Sequence, residues 1–136
     1  ELVPSDDLSQ LVEMATNASG APVEVLEVSG LLWLGGRADG SGYSAQGAEL
    51  AAGSALELFE YNLFGAEPQS VRDGQQTLRA ALCFVWVPAP GGGEWLDSYW
   101  FEYRVDADEL ELVRRDGVPL DGSARGCDLQ SATPPW

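Results

Sequence analysis

Apolar and polar residues alternate, or apolar residues run together, in several separate stretches of the chain. Such stretches, bounded by Gly, Pro, Asp and Ser, are typical of β-strands. We predict strands at 22–34, 55–64, 76–87, 95–105 and 110–115. The last three follow one another through short turns, which predicts an antiparallel meander. A β-sheet is therefore expected to be the main element of the fold.

The N-terminal segment 4–17 has a different pattern, which predicts a helix. One apolar stripe recurs there at helical spacing: Leu8, Leu11, Val12 and Ala15. Ser5 precedes the stripe at an N-cap position, and two acidic residues follow it in the first turn, where they suit the positive end of a helix dipole. The glycine-rich segment 35–47 predicts a loop.

These elements together predict the fold class. We expect an α+β fold, in which the short N-terminal helix packs on an antiparallel β-meander of about four to six strands. Residues 1–136 are expected to form a single globular domain. An all-β sandwich or barrel is the alternative.

Cys83 and Cys127 are the two cysteines, and their spacing favours a disulfide. They lie 44 residues apart, which matches neither a zinc ribbon nor a C-x-x-C redox motif. We expect Cys83, on a predicted strand, to bind Cys127 and so pin the C-terminal tail to the sheet; two buried free thiols are the alternative. A disulfide predicts an oxidising location: periplasmic, at the cell surface, or secreted.

The order of one helix, an antiparallel meander and a tail pinned by cysteine resembles the soluble part of pilin-like proteins. It also resembles small cystatin-like and nuclear-transport-factor-like domains. The resemblance concerns the layout of the elements and implies no role for any residue.

The composition excludes several kinds of chemistry. The 136 residues include no His and no Lys, and 22 acidic residues against seven Arg give a net charge of −15. Without His there is no histidine base and no imidazole metal ligand. Without Lys there is no Schiff base and no P-loop lysine. We therefore expect no catalytic set, no metal and no cofactor.

The charge also bears on partners and source. Nucleic acid and anionic membranes should be repelled, and no apolar run approaches the roughly 20 residues that span a bilayer. Residues 1–71 hold 11 acidic residues and one Arg, a net charge of −10, so a protein partner would present a basic surface. The absence of Lys and Ile is typical of a G+C-rich genome or a halophilic source.

Aromatic residues on two predicted strands are the main candidates for a binding site. By alternation, one face of strand 95–105 carries an acid among aromatic rings, and Trp86 stands on the neighbouring strand. The candidate ligand-binding residues are Trp86, Trp95, Asp97, Tyr99, Phe101 and Tyr103. If these rings are exposed, they would stack on a sugar, a peptide or another flat ligand. If another part of the chain covers them, they would belong to the hydrophobic core.

Three hypotheses for the function remain. The first is a non-enzymatic, extracytoplasmic acidic domain that mediates protein–protein interaction or envelope assembly. The second is a small-ligand-binding domain, or a carboxylate-based enzyme domain, with an aromatic-lined pocket. Its acids would be residues such as Asp97 and Glu102, and Asp97 could also pair across the sheet with Glu57 or Glu60. The third is an acidic mimic of nucleic acid. The oligomeric state is not predicted.

Overall fold

A computed structural model describes residues 2–44, 47–88, 92–120, 127–129 and 132–136. Its elements in chain order are β1 Leu2–Pro4, β2 Gln10–Thr16, β3 Val23–Leu34, β4 Arg37–Ser44, β5 Ala48–Leu50, β6 Ala55–Asn62, α1 Glu67–Arg72, β7 Leu78–Pro88, β8 Trp95–Arg104 and β9 Glu109–Pro119. The six-residue α1 is the one α-helix in this part of the chain. No helix among the described residues is long and apolar enough to cross a membrane.

The strands form two antiparallel sheets. The small sheet has the order β1-β2-β6, and the large sheet has the order β4-β3-β7-β8-β9, with β5 also paired to β3. The predicted α+β fold is therefore wrong, and so is the predicted N-terminal helix. The resemblance to pilin-like, cystatin-like and nuclear-transport-factor-like domains depended on that helix and is therefore wrong as well. The all-β alternative describes the structure. The predicted meander is confirmed as β7, β8 and β9, although β9 runs on to Pro119.

The segment predicted as a helix is instead a hairpin of β1 and β2. The polar residues that predicted a helix N-terminus instead form hydrogen bonds within the turn of this hairpin. The Gln10 N–H donates to Ser5 Oγ at 3.0 Å, and the Ser9 N–H donates to Asp7 Oδ1 at 3.0 Å. Hydrogen bonds from Ser9, and then from Ser5, lower the pKa of Asp7 to about 2. Short polar side chains serve tight turns as readily as helix caps, because in both they bind nearby backbone N–H groups.

A buried acid in β2 explains why the strand pattern was missed. Leu11, Glu13 and Ala15 alternate as the buried positions of β2, and the residues between them are partly exposed. An acid in the middle of the inner face interrupts the apolar alternation that predicts a strand. The helical spacing of Leu11, Val12 and Ala15 therefore predicted a helix, although this segment forms a strand.

The glycine-rich segment predicted as a loop contains β4, so this prediction is also wrong. β4 pairs with β3 from Ser44 opposite Val28 to Arg37 opposite Leu34. Two glycines with positive φ, Gly35 at +64° and Gly36 at +85°, join the two strands, as a type I′ hairpin turn requires. Backbone pairing needs no side chain, which is why the strand left no apolar pattern. Residues 45–46 of the predicted loop lie outside the described residues, as do 89–91 of the predicted turn after β7.

Both faces of the large sheet are covered. One face packs on the small sheet in a buried cluster comprising Leu2, Leu8, Leu11, Leu32, Leu34, Tyr61, Leu63, Val71, Leu78, Ala80, Phe101 and Tyr103. The opposite face packs on the C-terminal tail through Leu31, Ala81, Cys83, Trp100 and Leu129. The central strands therefore contribute side chains to two separate cores.

The predicted disulfide is confirmed. Cys83 on β7 binds Cys127, with a Cα–Cα distance of 5.6 Å. Beyond it, the ring of Trp136 packs edge-on against Trp33 and Trp100, with ring centres 5.3 and 5.6 Å apart. The guanidinium of Arg79 lies 5.0 Å from the Trp136 ring centre. The tail thus serves as the second layer on the large sheet.

Replacing both Cys83 and Cys127 with Ser should lower the free energy of unfolding by about 4 kcal/mol, because the unfolded chain loses a long closed loop. Urea denaturation followed by tryptophan fluorescence measures this change. The near-ultraviolet circular dichroism of the tryptophan cluster should weaken in the variant, since the tail is no longer tethered. An unchanged free energy of unfolding would show that the tail holds without the bond.

Glu13 is enclosed between the sheets, and its carboxyl group has no hydrogen-bond partner among the described residues. It is 0 % exposed, and the hydroxyl of Tyr61 on β6 is buried and unpartnered as well. Burial raises the pKa of Glu13 to about 8. Burial, and then the charge of Glu13, raise the pKa of Tyr61. Below pH 8, Glu13 is therefore mainly a neutral acid in the folded protein.

We expect the free energy of unfolding to fall as the pH rises from about 5 to about 8. The unfolded chain releases the Glu13 proton near 4.5 and the folded protein near 8, so the folded state binds more protons across this window. The loss approaches about 1.4 kcal/mol per pH unit. Glu13→Gln should remove this component, as urea denaturation at several pH values would show.

Glu57→Gln, an exposed change on β6, is the matched control and should keep the pH dependence of the parent. If Glu13→Gln keeps it too, the slope arises elsewhere and Glu13 is not the titrating group.

Candidate ligand-binding site

A pocket lies where the small sheet ends over the face of the large sheet. Its walls come from the end of β2, the turn at 17–19, and strands β3, β5, β7, β8 and β9. The cavity volume is about 240 Å³. Pockets for drug-sized ligands occupy about 300–1,000 Å³, so this one is suited to a single ring or a single side chain.

Asn17 holds the turn that forms one wall. It is 5 % exposed. Its Nδ2 donates to the carbonyl oxygens of Ala21 at 2.8 Å and Leu50 at 3.0 Å, and its Oδ1 accepts from the Ser19 N–H at 3.0 Å. A buried amide with these partners ties the turn to β5, so this wall is part of the folded framework.

Asp97 is the acidic group of the pocket lining. It is 9 % exposed, and Trp86 Nε1 donates to its Oδ2 at 2.6 Å. The pairing of β7 with β8 places these two side chains diagonally on one face, within reach of each other. The second oxygen, Oδ1, lies close over Gly117, the residue opposite Asp97 on β9; a Cβ at Gly117 would come within 2.7 Å of it.

Aromatic side chains beside Asp97 stack across neighbouring strands. The rings of Phe84 and Tyr99 lie 5.7 Å apart at an angle of 10°, and the Arg115 guanidinium lies 5.2 Å from the Tyr99 ring centre. Tyr99 is therefore held between a ring on β7 and a cation on β9. Burial, followed by the charge of Asp97, raises the pKa of Tyr99, so its hydroxyl stays neutral at physiological pH.

Arg115 differs from the other arginines of the meander. Three of them form ion pairs with acidic side chains: Arg79, Arg104 and Arg114. Arg115 is exposed and has no salt bridge to any residue in the described part of the chain. Its guanidinium lines the pocket and interacts with Tyr99.

Of the six predicted binding residues, three line the pocket, two lie in the core and Trp95 is partly exposed beside the pocket. Three of the six line the pocket: Trp86, Asp97 and Tyr99. Trp95 stacks beside Trp86, with ring centres 6.3 Å apart, and is 40 % exposed. Phe101 and Tyr103 are only 7 % and 8 % exposed, because the small sheet covers that end of β8.

The pair of carboxylates that an enzyme would need is not assembled. Glu57 and Glu60 lie on β6, opposite Met14 and Val12, and neither lines the pocket. Among the described residues there is also no group of three or more acidic or cysteine side chains placed to hold a metal ion.

Sequence reasoning missed part of the lining. Arg115 reaches Tyr99 only through the pairing of β8 with β9, whose register shifts between Trp100 and Phe101. The wall at the end of β2 was hidden by the predicted helix. Phe84 could have been included, because it alternates with Trp86 along β7.

Comparisons with known proteins leave the function open. No protein family and no curated protein matches the chain. Among solved structures, a protein from Archaeoglobus fulgidus is similar at 14 % identity, with a TM-score of 0.39, over 88 % of this chain and 90 % of that one. A likeness at this level assigns neither fold nor function.

Gly117→Ala should disturb the pocket, because the new Cβ would collide with Asp97 Oδ1. We expect Asp97 to shift, the Trp86 indole N–H resonance to move, and the free energy of unfolding to fall by about 1–3 kcal/mol. Gly93→Ala is the control, since a Cβ there meets nothing within 4 Å. An unmoved indole resonance in Gly117→Ala would contradict the geometry of Asp97; two-dimensional NMR makes the comparison.

Proposed function

We propose that the protein is a non-enzymatic binding domain, and that its pocket takes one ring-sized ligand or a single side chain of a protein partner. The observation that carries this proposal is the convergence of aromatic rings, the Asp97 carboxylate and the Arg115 guanidinium on one cavity. Apolar walls with a few well-placed polar groups are typical of ligand sites.

The rigidity of the pocket supports this proposal. Trp86 and Asp97 lie within paired strands and are joined by a hydrogen bond, and Asn17 ties the facing turn to β5. A site that is already in its binding conformation loses little conformational entropy when a ligand enters.

We propose an oxidising compartment: the periplasm, the cell surface or the exterior. The Cys83–Cys127 disulfide supports this location, because cytosolic thiols are normally kept reduced. The same bond weighs against the acidic mimic of nucleic acid, which would work among reduced thiols. The net charge of −15 supports a partner or ligand that carries positive charge.

A screen of neutral, cationic and anionic one-ring fragments tests the binding function. At least one fragment should bind and shift the NMR signals of Trp86 and Tyr99. Thr16→Trp, an exposed change at the pocket wall, should fill the cavity and abolish the shifts. Val3→Trp, an exposed change on β1 outside the pocket, is the control and should leave binding intact.

Two results would reject the proposal. One is a screen in which no fragment moves any pocket resonance. The other is a fragment that binds Thr16→Trp as tightly as the parent protein, because such a fragment lies elsewhere.

A further inference from the structure

Asp97 is a nearly buried carboxylate with unused hydrogen-bonding capacity. A carboxylate has about four lone-pair positions on its two oxygens, and Trp86 supplies one hydrogen bond to Oδ2. No salt bridge reaches Asp97 from the described residues. A buried charge is stabilised by pairing or further hydrogen bonds, so Asp97 can accept a further donor, and a cationic donor would stabilise it most.

The side chains around Asp97 favour a cation as that donor. Trp86 and Tyr99 line the same pocket, and the Tyr99 ring already has one cation, the Arg115 guanidinium, over it, so the aromatic wall is compatible with positive charge. The chain as a whole carries a charge of −15, which draws cations towards it and repels anions. An anionic ligand would approach against this field and then meet Asp97.

Arg115 is the one positive charge of the lining, and its position limits its effect. Its guanidinium is exposed and lies against Tyr99, with no ion pair to Asp97. Solvent and salt screen an exposed charge far more than a buried one. Arg115 should therefore weaken the attraction of the pocket for a cation without abolishing it.

We infer that the pocket recognises an ammonium group, which donates hydrogen bonds to Asp97 while the rings of Trp86 and Tyr99 lie beside it. This inference rests on the proposed binding function and names the class of its ligand. A lysine side chain of a partner protein and a small free amine share this chemistry, and the cavity has room for either.

NMR titration with three probes of the same ring and size tests the inference. Benzylammonium should bind at least ten times more tightly than benzyl alcohol, and benzoate should bind most weakly. Asp97→Asn keeps the size of the side chain and an oxygen that accepts from Trp86, but removes the charge; it should lose about tenfold in affinity for benzylammonium. Arg115→Gln should gain severalfold.

Glu109→Gln is the matched control, because it removes an exposed acid of β9 outside the pocket. It should leave the affinity for benzylammonium unchanged. A loss equal to that of Asp97→Asn would mean that overall charge draws the probe, and would overturn the inference.

The results separate this inference from the proposed function. If benzyl alcohol or benzoate binds as tightly as benzylammonium, or if Asp97→Asn binds benzylammonium as well as the parent, the ammonium inference is overturned while the pocket remains a binding site. If no probe shifts the signals of Trp86 or Tyr99, the ammonium inference fails, and the fragment screen then decides the binding function.

The same titration also tests whether the ammonium group belongs to a protein partner or to a small amine. A lysine-containing tripeptide that binds more tightly than butylammonium supports a protein partner, and the reverse order supports a small amine. If the tripeptide binds, its variant with norleucine in place of lysine should bind at least tenfold more weakly, and equal measurable binding of the two would overturn the inference.

Discussion

The large sheet has to be covered on both faces, and the rest of the structure follows from this constraint. Its central strand, β7, directs Ala80 and Leu82 towards the small sheet and Ala81 and Cys83 towards the tail. Apolar surface left in water costs about 25 cal/mol per Å², so each face needs a layer of its own. The small sheet supplies one layer. The described residues of the C-terminal tail, 127–129 and 132–136, supply the other, and the disulfide ties them to β7.

The small sheet covers only part of the face of the large sheet on which it packs, and the pocket lies on the uncovered part. β2 ends at Thr16, while Trp86 and Asp97 lie on the large sheet beside the turn that follows. Further along β8, Phe101 and Tyr103 are of the same aromatic type but are covered by the small sheet and become core. One face of β8 thus contributes residues to both the core and the pocket, depending on whether the small sheet covers them.

Two buried acids show how neighbours assign different roles to the same chemical group. Glu13 is fully buried with no hydrogen-bond partner among the described residues, and its raised pKa keeps it neutral at moderate pH. Asp97 accepts a hydrogen bond from an indole and borders a cavity. The first is a cost to stability at high pH. The second has a supporting partner and access to a ligand, which is the arrangement expected of a binding group.

The sequence by itself determined the long strands β3, β7 and β8 and the meander, because apolar runs and alternation are local signals. It favoured a disulfide between Cys83 and Cys127, and the tertiary structure decided that the two residues meet. It did not determine the small sheet or β4, since Glu13 interrupts the apolar pattern of one and glycines leave none in the other. Tertiary structure decided the site. The pocket depends on Thr16, Trp86 and Arg115 meeting across strands distant in sequence, and on which part of a shared face the small sheet covers. Neither the meeting of these residues nor the coverage of that face can be read from one segment of the sequence.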